Sequence, residues 1–322
     1  MSDYIMGIDT SAYTTSIALI DSIKGTIETD MRKILSVSPG QRGLRQQDAV
    51  FQHLKNFQEL IQKTQHNLQN VKTIAVSSKP RNVEGSYMPV FTVGQNYGKV
   101  IAKTLNCNYI EYSHQENHIG ASVINHYKNI KNNTLAIHIS GGTTEFLSIE
   151  KIFKGYSTKI IGGSKDITFG QLIDRIGTYL KFPFPCGKYM ENYMKENVDI
   201  EKIKLPSISG NTFINLSGME NYYKNLYNLN KYNKETIISS LFEYIATCII
   251  YIIKKIELNY NFDTIIITGG VASNDIIRNT IMKELNRKFG IILPTKIYSS
   301  DNAVGIAYLP IIDRWYNETK TN

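Results

Sequence analysis

The chain of 322 residues is long enough for two domains of ordinary size or one two-lobed enzyme. With 42% hydrophobic and 20% charged residues, its composition excludes a largely disordered protein, and only the polar end "NETKTN" is expected to lack structure. A net charge of +8 would attract polyanions such as nucleic acids, but the basic residues are scattered, so codon composition explains this charge equally well.

Membrane insertion and disulfide bonding are both disfavoured. The first residues, "MSDYIMGIDTSAYTTSIALID", carry acidic side chains and no basic leader, so they are not expected to be a signal peptide. The densest apolar run, residues 244–253, is much shorter than the roughly 20 residues that a bilayer requires. Three widely spaced cysteines suit a reducing compartment. We therefore expect a cytoplasmic protein without a membrane segment.

Residues 4–34 have the pattern of a three-stranded meander. The strands "YIMGID", "TSIALID" and "TIETDMRKIL" are separated by the polar turn "TSAYT" and a turn around "SIKG". The first turn has small hydroxyl side chains, which are suited to an anion, and Asp9 beside it could orient a water or a cation. The alternative is an ordinary hairpin turn. The helical pattern "DAVFQHLKNFQELIQKT" and the strand "TIAVSS" follow.

The stretch "HQENH" has two imidazoles four residues apart. Ser113 followed by Glu116 is a capping box, which predicts a helix that begins at Ser113. His114 and His118 then lie on one face of this helix and could bind one metal ion, with a third ligand from elsewhere. A chance pair of surface histidines is the alternative.

A zinc protease is excluded by the same stretch. Its HExxH pattern needs a glutamate directly after the first histidine, where this chain has Gln115. Glu116 is expected to serve the helix cap instead.

Residues 135–161 repeat the meander as "LAIHIS", "FLSIE" and "YSTKII". The first turn, "GGTTE", follows Ser140 and leaves the backbone amides of Gly141 and Gly142 able to face a phosphate, although a plain hairpin turn is again the alternative. His138 is expected to be a core or cleft residue of the first strand.

A long helix, "ETIISSLFEYIATCIIYIIKKI", and the strand "DTIIITGG" complete the second half. The glycine pair precedes a predicted helix with Asn274 in its first turn, and this amide could contact the hydroxyls or ring nitrogens of a nucleotide. A strand, a glycine pair and a helix also occur together for packing reasons alone.

A meander used twice, each time followed by helices and a further strand, predicts a duplicated α/β fold. We expect two actin-like lobes of the ASKHA, RNase H-like class, with a central cleft between them. The first lobe is predicted to comprise residues 1–130 and 298–322, where the amphipathic stretch "AVGIAYLPIIDRWYNE" returns. The second comprises residues 131–297 with a helical insertion. Chance repetition of two meanders is the alternative.

The sequence resembles the TsaD family, tRNA threonylcarbamoyltransferases once described as glycoproteases (peptidase M22-like). The motifs that carry the resemblance are "GIDTSAYTTS", "YSHQENHIGA", "IHISGGTTE", "FGQLIDRIGTYLKFPFPCG", "NLSGMEN", "TGGVASN" and "SSDNAVGIAY". Their order and spacing extend over most of the chain.

This resemblance implies a set of ligands and a reaction. One iron or zinc ion would be bound by His114, His118 and Asp301, the last of which follows the strand-like "KIYSS". The family's substrate is threonylcarbamoyl-adenylate, and its carbamoyl group passes to N6 of the adenosine beside the anticodon of tRNA. Asp9 would assist proton transfer or orientation. The nucleotide would contact the following residues: Ser140, Gly141, Gly142, Asp174, Gly187 and Asn274.

The chain departs from the family pattern around the acceptor. Thr143 replaces the usual histidine of the phosphate loop, and Gln47 and Phe51 replace a glutamate and an arginine. Asp166 is followed by Ile167, so the usual acidic pair has one carboxylate.

These departures leave three functions open. The first is a working transferase whose partners are tRNA, a smaller actin-like protein and an ATPase; four basic residues would then contact tRNA phosphates, namely Arg42, Arg45, Lys79 and Arg81. The second is a paralogue that does not modify tRNA but binds metal and nucleotide as a scaffold or acts on another acceptor. The third, a sugar-kinase-like phosphotransferase, leaves the histidine pair without a purpose.

Overall fold

A computed structural model describes residues 2–11, 13–37, 44–130, 133–196, 201 and 203–321. The strands in these ranges are β1 (Tyr4–Ser11), β2 (Thr14–Asp21), β3 (Ile27–Ile34), β4 (Val71–Lys79), β5 (Asn108–Ser113), β6 (Thr134–Ile139), β7 (Thr144–Lys151), β8 (Tyr156–Ser164), β9 (Phe213–Ile214), β10 (Thr264–Thr268) and β11 (Gly290–Ile292). The helices are α1 (Gln46–Gln62), α2 (Phe91–Leu105), α3 (His114–Val123), α4 (Phe169–Tyr179), α5 (Cys186–Glu196), α6 (Ser217–Asn228), α7 (Lys234–Ile256), α8 (Asp275–Leu285), α9 (Lys296–Ser299) and α10 (Val304–Thr321).

The chain divides into two compact units. Unit 1 comprises Met1–Ile130, Glu150–Thr158 and Pro294–Asn322, and unit 2 comprises Lys131–Ile149 and Lys159–Leu293. The segment 150–158 therefore clusters with unit 1, whereas the sequence-based division had assigned it to the second lobe.

Within its described residues, unit 1 contains one five-stranded sheet of order β3-β2-β1-β4-β5. Strands β1, β2 and β3 form the predicted antiparallel meander, and β4 and β5 run parallel to β1. The expected polar turn between β1 and β2 is shorter than predicted, because Thr10 and Ser11 pair with Thr15 and Thr14 as parts of the strands.

The sheet that contains the unit 2 strands repeats this plan. Its order is β11-β10-β6-β7-β8-β9, so β8-β7-β6-β10-β11 corresponds position by position to β3-β2-β1-β4-β5. Strand β10 is parallel to both β6 and β11, and β7 is antiparallel to β6. The predicted second meander is thus present, and the duplication of one α/β plan is confirmed at the level of topology.

Helix α7 forms the centre of the unit 2 core. It begins after Asn233, whose side chain accepts from the backbone N–H of Thr236, and its 23 residues match the predicted helix within one position. In the described part of the chain it is the one helix long and apolar enough to cross a membrane by length and composition, yet 78% of its most apolar window is buried. That burial is the property of a core helix.

A buried ion pair fixes segment 150–158 in unit 1. The Lys151 ammonium lies 2.7 Å from Oδ1 of Asp313 on α10. The same oxygen accepts from the backbone N–H of Gly155, and Oδ2 of Asp313 accepts from the Tyr112 hydroxyl at 2.7 Å. One carboxylate therefore satisfies three donors, two from segment 150–158 and one from β5.

Replacing Asp313 by alanine should destabilise the protein by about 3 kcal/mol, because a buried ammonium loses its counter-ion and two further donors lose their acceptor. Urea unfolding followed by circular dichroism would measure the change. Asp48→Ala, which removes an exposed carboxylate from α1, is the control and should cost under about 1 kcal/mol. Equal losses in the two variants would contradict the importance of the buried pair.

Candidate metal centre and nucleotide loops

The first turn of α3 confirms the capping box. The Ser113 hydroxyl accepts from the backbone N–H of Glu116, whose carboxylate accepts in return from the backbone N–H of Ser113. The second Glu116 oxygen accepts from the backbone N–H of Tyr156 at 2.9 Å. Glu116 is therefore occupied structurally, which agrees with the exclusion of a zinc-protease base.

The two predicted histidines meet on this helix. His114 Nε2 and His118 Nε2 are 3.1 Å apart, and the ring centroids are separated by 4.5 Å. His118 is almost fully buried, and the Phe91 ring lies 6.0 Å from the His114 ring between centroids. Both rings thus direct the same type of nitrogen at one point, as two ligands of one ion would.

Asp301 is brought to this point by contacts between α3 and the start of α10. Asn117, between the two histidines, accepts through Oδ1 from the backbone N–H of Ile306 and donates through Nδ2 to the Asn302 carbonyl. Asn302 Oδ1 accepts from the N–H groups of Val304 and Gly305. The first amides of α10 are therefore satisfied by side chains, and Asp301 is held one residue before this cap.

The sequence had suggested a strand before Asp301, and this prediction is wrong. "KIYSS" contains the short helix α9, which follows Thr295 and closes a hydrogen bond from Tyr298 N–H to the Thr295 carbonyl. Its β-branched and aromatic residues mimic a strand, but four residues after Pro294 make one helical turn.

The three donor atoms form a compact triangle. Asp301 Oδ1 lies 3.6 Å from His114 Nε2 and 3.5 Å from His118 Nε2. Nitrogen and oxygen ligands at about 2.0–2.2 Å from a tetrahedral zinc ion are about 3.3–3.6 Å apart. The ligand atoms of these three residues are all within 4.8 Å of one another, so the residues present fit one metal ion.

Asp9 lies directly behind the first histidine. Its Oδ2 is 3.3 Å from His114 Nδ1 and accepts from the Ser11 hydroxyl at 2.7 Å. This contact is an ion pair, since His114 Nδ1 makes no hydrogen bond among the described residues, and the nearby carboxylate favours a ring orientation that directs Nε2 to the metal. Asp9 Oδ1 is buried and has no hydrogen-bond partner among the described residues. Burying a carboxylate oxygen in this way costs least when a cation lies nearby.

The carboxylates set the protonation of the metal-free centre. Burial opposes protonation of His114, but the charges of Asp9 and Asp301 outweigh it and raise the pKa of this imidazole to about 10. Burial and the positive charge of His114 lower the pKa of His118. Burial opposes ionisation of Asp301, yet hydrogen bonds from both imidazoles hold the pKa of this carboxyl well below its usual range. Without metal, the positive charge of a protonated His114 thus balances the carboxylates of Asp9 and Asp301 in place of a metal ion.

Metal binding at pH 7.5 should therefore release about one proton, because a ligand imidazole must be neutral. Metal affinity should rise with pH up to about 10, where His114 loses its proton without metal. Calorimetric titration of zinc in two buffers of different ionisation enthalpy measures the release. A buffer-independent enthalpy would contradict it.

His53, which matches a histidine of the family pattern, is completely buried. Its Nδ1 lies 2.8 Å from Thr15 Oγ1, and Nε2 has no hydrogen-bond partner among the described residues. Burial lowers its pKa to about 4, although the charges of Asp9 and Asp301 act in the opposite direction. The available signal was its place on the apolar face of α1, which shows an imidazole where packing would favour an aliphatic side chain.

The hydroxyls of the first turn are engaged within the protein. Thr10 Oγ1 donates to the Val90 carbonyl, Ser11 donates to Asp9, and Thr15 contacts His53. All three side chains are buried. Antiparallel pairing draws these residues into the sheet, so these three hydroxyls contact other protein atoms, and the prediction that the turn binds a phosphate gains no support from them.

In unit 2, the turn after β6 is tightly closed. The backbone N–H of Ser140 donates to the Thr143 carbonyl at 2.8 Å, and the Ser140 hydroxyl accepts from the Thr143 N–H at 3.1 Å. Thr168, the N-cap of α4, donates its hydroxyl to the Gly141 carbonyl at 2.8 Å. The turn is thus attached to the N-terminus of a helix, a favourable environment for an anion.

Glycines leave this turn and the turn after β10 open. A Cβ atom built on Gly141, Gly142 or Gly270 would meet nothing within 4 Å, so packing does not demand glycine there. Gly269, in contrast, has a φ of +100° and would collide with the Ile139 carbonyl oxygen if it carried a side chain. Gly269 is thus required by the backbone conformation of the turn after β10, whereas Gly141, Gly142 and Gly270 leave backbone exposed to a ligand.

The remaining nucleotide residues are placed as follows. Asp174 Oδ1 accepts from the backbone N–H of Cys186 at the start of α5, and burial raises the pKa of this carboxyl. Gly187 lies in the same turn of α5, and a Cβ atom built on it would be in ordinary van der Waals contact with Ile173. Asn274 caps α8 through Oδ1, which accepts from Ile277 N–H, so its Nδ2 amide is the group suited to a ligand.

Solved structures identify the class. The chain is similar to full-length HypF in a phosphate- and nucleotide-bound form, with TM-score 0.62 and 11% identity over 97% of this chain and 46% of HypF. It is also similar to the activator of 2-hydroxyisocaproyl-CoA dehydratase from Clostridium difficile with bound ADPNP, with TM-score 0.54 and 15% identity over 99% and 98% of the two chains. The protein therefore has a two-sheet α/β fold of the actin-like ASKHA type.

Its family is identified by sequence. Residues 43–308 match the TsaD family, tRNA N6-adenosine threonylcarbamoyltransferase, and the chain belongs to this family. It is 30% identical to the threonylcarbamoyltransferase of Wigglesworthia glossinidia brevipalpis, over 98% of this chain and 94% of that protein. It is 28% identical to that of Nanoarchaeum equitans, again over 98% and 94%. The resemblance inferred from the motifs is confirmed.

Proposed function

We propose that this protein transfers a threonylcarbamoyl group from threonylcarbamoyl-adenylate to N6 of the adenosine beside the anticodon of tRNA. Family membership supports this assignment, and the observation that carries it is the triangle formed by His114, His118 and Asp301. A sugar-kinase-like phosphotransferase would have no use for this triangle. Asp301, the third ligand, comes from a part of the chain far from the two histidines.

Each group has a distinct role in this proposal. His114, His118 and Asp301 hold one iron or zinc ion, which supplies a Lewis acid for the acyl carbonyl or the phosphate. Asp9 fixes the ring of His114 through Nδ1 and is a positioning residue, since its contacts are with His114 and Ser11.

The nucleotide part of the substrate is assigned to unit 2. The backbone amides of Gly141 and Gly142, with the Ser140 turn on the N-terminus of α4, would bind the phosphate. The Asp174 carboxylate would accept from a ribose hydroxyl, and the Asn274 amide would donate to the base or ribose. Gly187, which follows Cys186 at the start of α5, would offer its backbone to the same ligand.

Basic residues of unit 1 are proposed to contact tRNA. Arg45 precedes α1, Lys79 ends β4, and Arg81 is exposed in the following loop; Arg42 lies outside the described residues. Each Arg→Ala change should reduce the slope of log Kd against log salt for tRNA by about one, as expected for one phosphate contact. A salt-independent affinity in the wild type would show that the charge has no such role.

A second function remains, in which the protein binds metal and nucleotide without modifying tRNA. The observation that favours it is a loss of charge on α1. Gln47 and Phe51 replace charged residues of the family pattern, and Phe51 is 76% exposed. An exposed phenyl ring cannot replace the charge of an arginine.

Complementation distinguishes the two functions. The wild type, His118→Ala and the control His126→Ala would be expressed with a smaller actin-like partner and an ATPase partner in cells that lack their own transferase. We expect wild type and the control, which alters an exposed histidine, to restore threonylcarbamoyladenosine, measured by mass spectrometry of digested tRNA. A folded, metal-loaded wild type that restores none would favour the non-modifying function.

We also propose a cytoplasmic location, which the three free cysteines support.

A further inference from the structure

Three polar side chains interrupt an apolar face of the unit 2 sheet, at the carboxyl ends of β6 and β10 and at the start of the antiparallel strand β7. His138 is paired with Thr268 on β10 and with Glu145 on β7, and all three are buried. Alternation places Ala136 on the same face, paired with Ile266 and Leu147. The polar row thus begins where the strands approach their glycine turns.

The row directly adjoins both nucleotide turns. His138 is two residues before Ser140, and Thr268 is directly before Gly269. The imidazole reaches the second turn, since a Cβ on Gly269 would lie 3.0 Å from His138 Cδ2. The lack of a side chain at Gly269 therefore leaves room for this ring.

Thr268 provides a second, independent observation. Its side chain is 1% exposed, and its Oγ1 has no hydrogen-bond partner among the described residues. An unsatisfied buried hydroxyl destabilises the folded state, so a strand that packs only for stability would favour valine here. The hydroxyl is better explained by a ligand that accepts its hydrogen bond.

We propose that Thr268 and His138 form a phosphoryl-binding pair that donates to the phosphate of the adenylate from the carboxyl ends of β10 and β6. Glu145, opposite His138, serves as the positioning carboxylate that orients the imidazole so that one ring N–H is directed to the ligand. This inference rests on the proposed function, because it assumes an adenine nucleotide at the Ser140–Gly142 and Gly269–Asn274 turns. It adds an imidazole to a phosphate turn that has Thr143 in place of the family histidine.

The test compares adenosine with AMP, which differ by the phosphate alone, using calorimetric titration of the full-length protein. Thr268→Val should weaken AMP binding roughly fivefold and His138→Leu tenfold or more, as expected for a neutral and a stronger hydrogen bond, while adenosine binding stays within twofold. Thr268→Val should not lower the melting temperature, since no protein partner loses its hydrogen bond. This variant therefore remains informative if His138→Leu folds poorly.

Thr264→Val is the matched control. Thr264 is on the same strand and the same face, at the opposite end, where its hydroxyl donates to Asp263. The Thr264→Val variant should bind AMP with the affinity of the wild type. Unchanged AMP affinity in Thr268→Val, or an equal loss for adenosine and AMP, would overturn the phosphoryl pair. A wild type that binds neither ligand would instead refute the nucleotide assignment of the proposed function, and this inference with it.

Discussion

His118→Ala is expected to lower the affinity for iron or zinc by about 100-fold or more and to abolish threonylcarbamoyl transfer. The described residues offer three ligands at this point, so one loss leaves two, which are too few for a tight site. The remaining imidazole and carboxylate would form an ion pair, because His114 stays between Asp9 and Asp301. Metal content after purification and competition with a chelator measure the effect.

His126→Ala is the control for this experiment, since it removes an exposed imidazole a few residues beyond the end of α3. It should keep the wild-type metal content. A His118→Ala protein that retained one metal ion at wild-type affinity would eliminate the proposed centre, whatever its activity.

Gly305→Ala is expected to reduce both the stability of the fold and the affinity for the metal. A Cβ atom on Gly305 would collide with the backbone oxygen of Asn117 and lie 2.5 Å from the backbone nitrogen of Ala121. Backbone atoms cannot rotate away, so α10 would have to separate from α3. We expect a loss of about 2–3 kcal/mol in the free energy of unfolding.

The same substitution should weaken metal binding although Gly305 bears no ligand atom. Asp301 is positioned by the cap of α10, and His118 follows directly after Asn117, so separating the helices lengthens the distance between Asp301 and His118. We expect a 10- to 100-fold loss of metal affinity, comparable to the loss of a supporting contact. Gly218→Ala is the control, because its Cβ would meet nothing within 4 Å on the exposed start of α6. Wild-type affinity in a destabilised Gly305→Ala protein would separate packing from metal binding.

Local patterns predicted much of this fold. The double meander, the helix that starts after Ser113 and the long helix α7 each depend on periodicity or capping within a few residues, and each is present. Two predictions failed where strand pairing or a distant contact determines the structure. The "TSAYT" turn is mostly strand because β1 and β2 pair almost to the turn, and segment 150–158 joins unit 1 through Asp313, far along the chain.

The candidate site divides in the same way. The spacing of His114 and His118 on a predicted helix was enough to suggest that they bind one ion, whereas Asp301 was inferred from the family resemblance alone. The hydrogen bonds of Asn117 to the start of α10, which explain the position of Asp301, connect residues more than 180 positions apart. No local periodicity encodes such a contact. The polar row beside the glycine turns could likewise not be recognised before the strand register was known.

Coordination by one helix and one remote aspartate has a consequence for the stability of the chain. His118 and Asp301 are about 180 positions apart, so folding alone brings the three ligands together, and a cation binds the folded chain far more tightly than the unfolded one. The bound cation therefore stabilises the fold by mass action, and chelation should lower the resistance of the protein to heat and proteolysis.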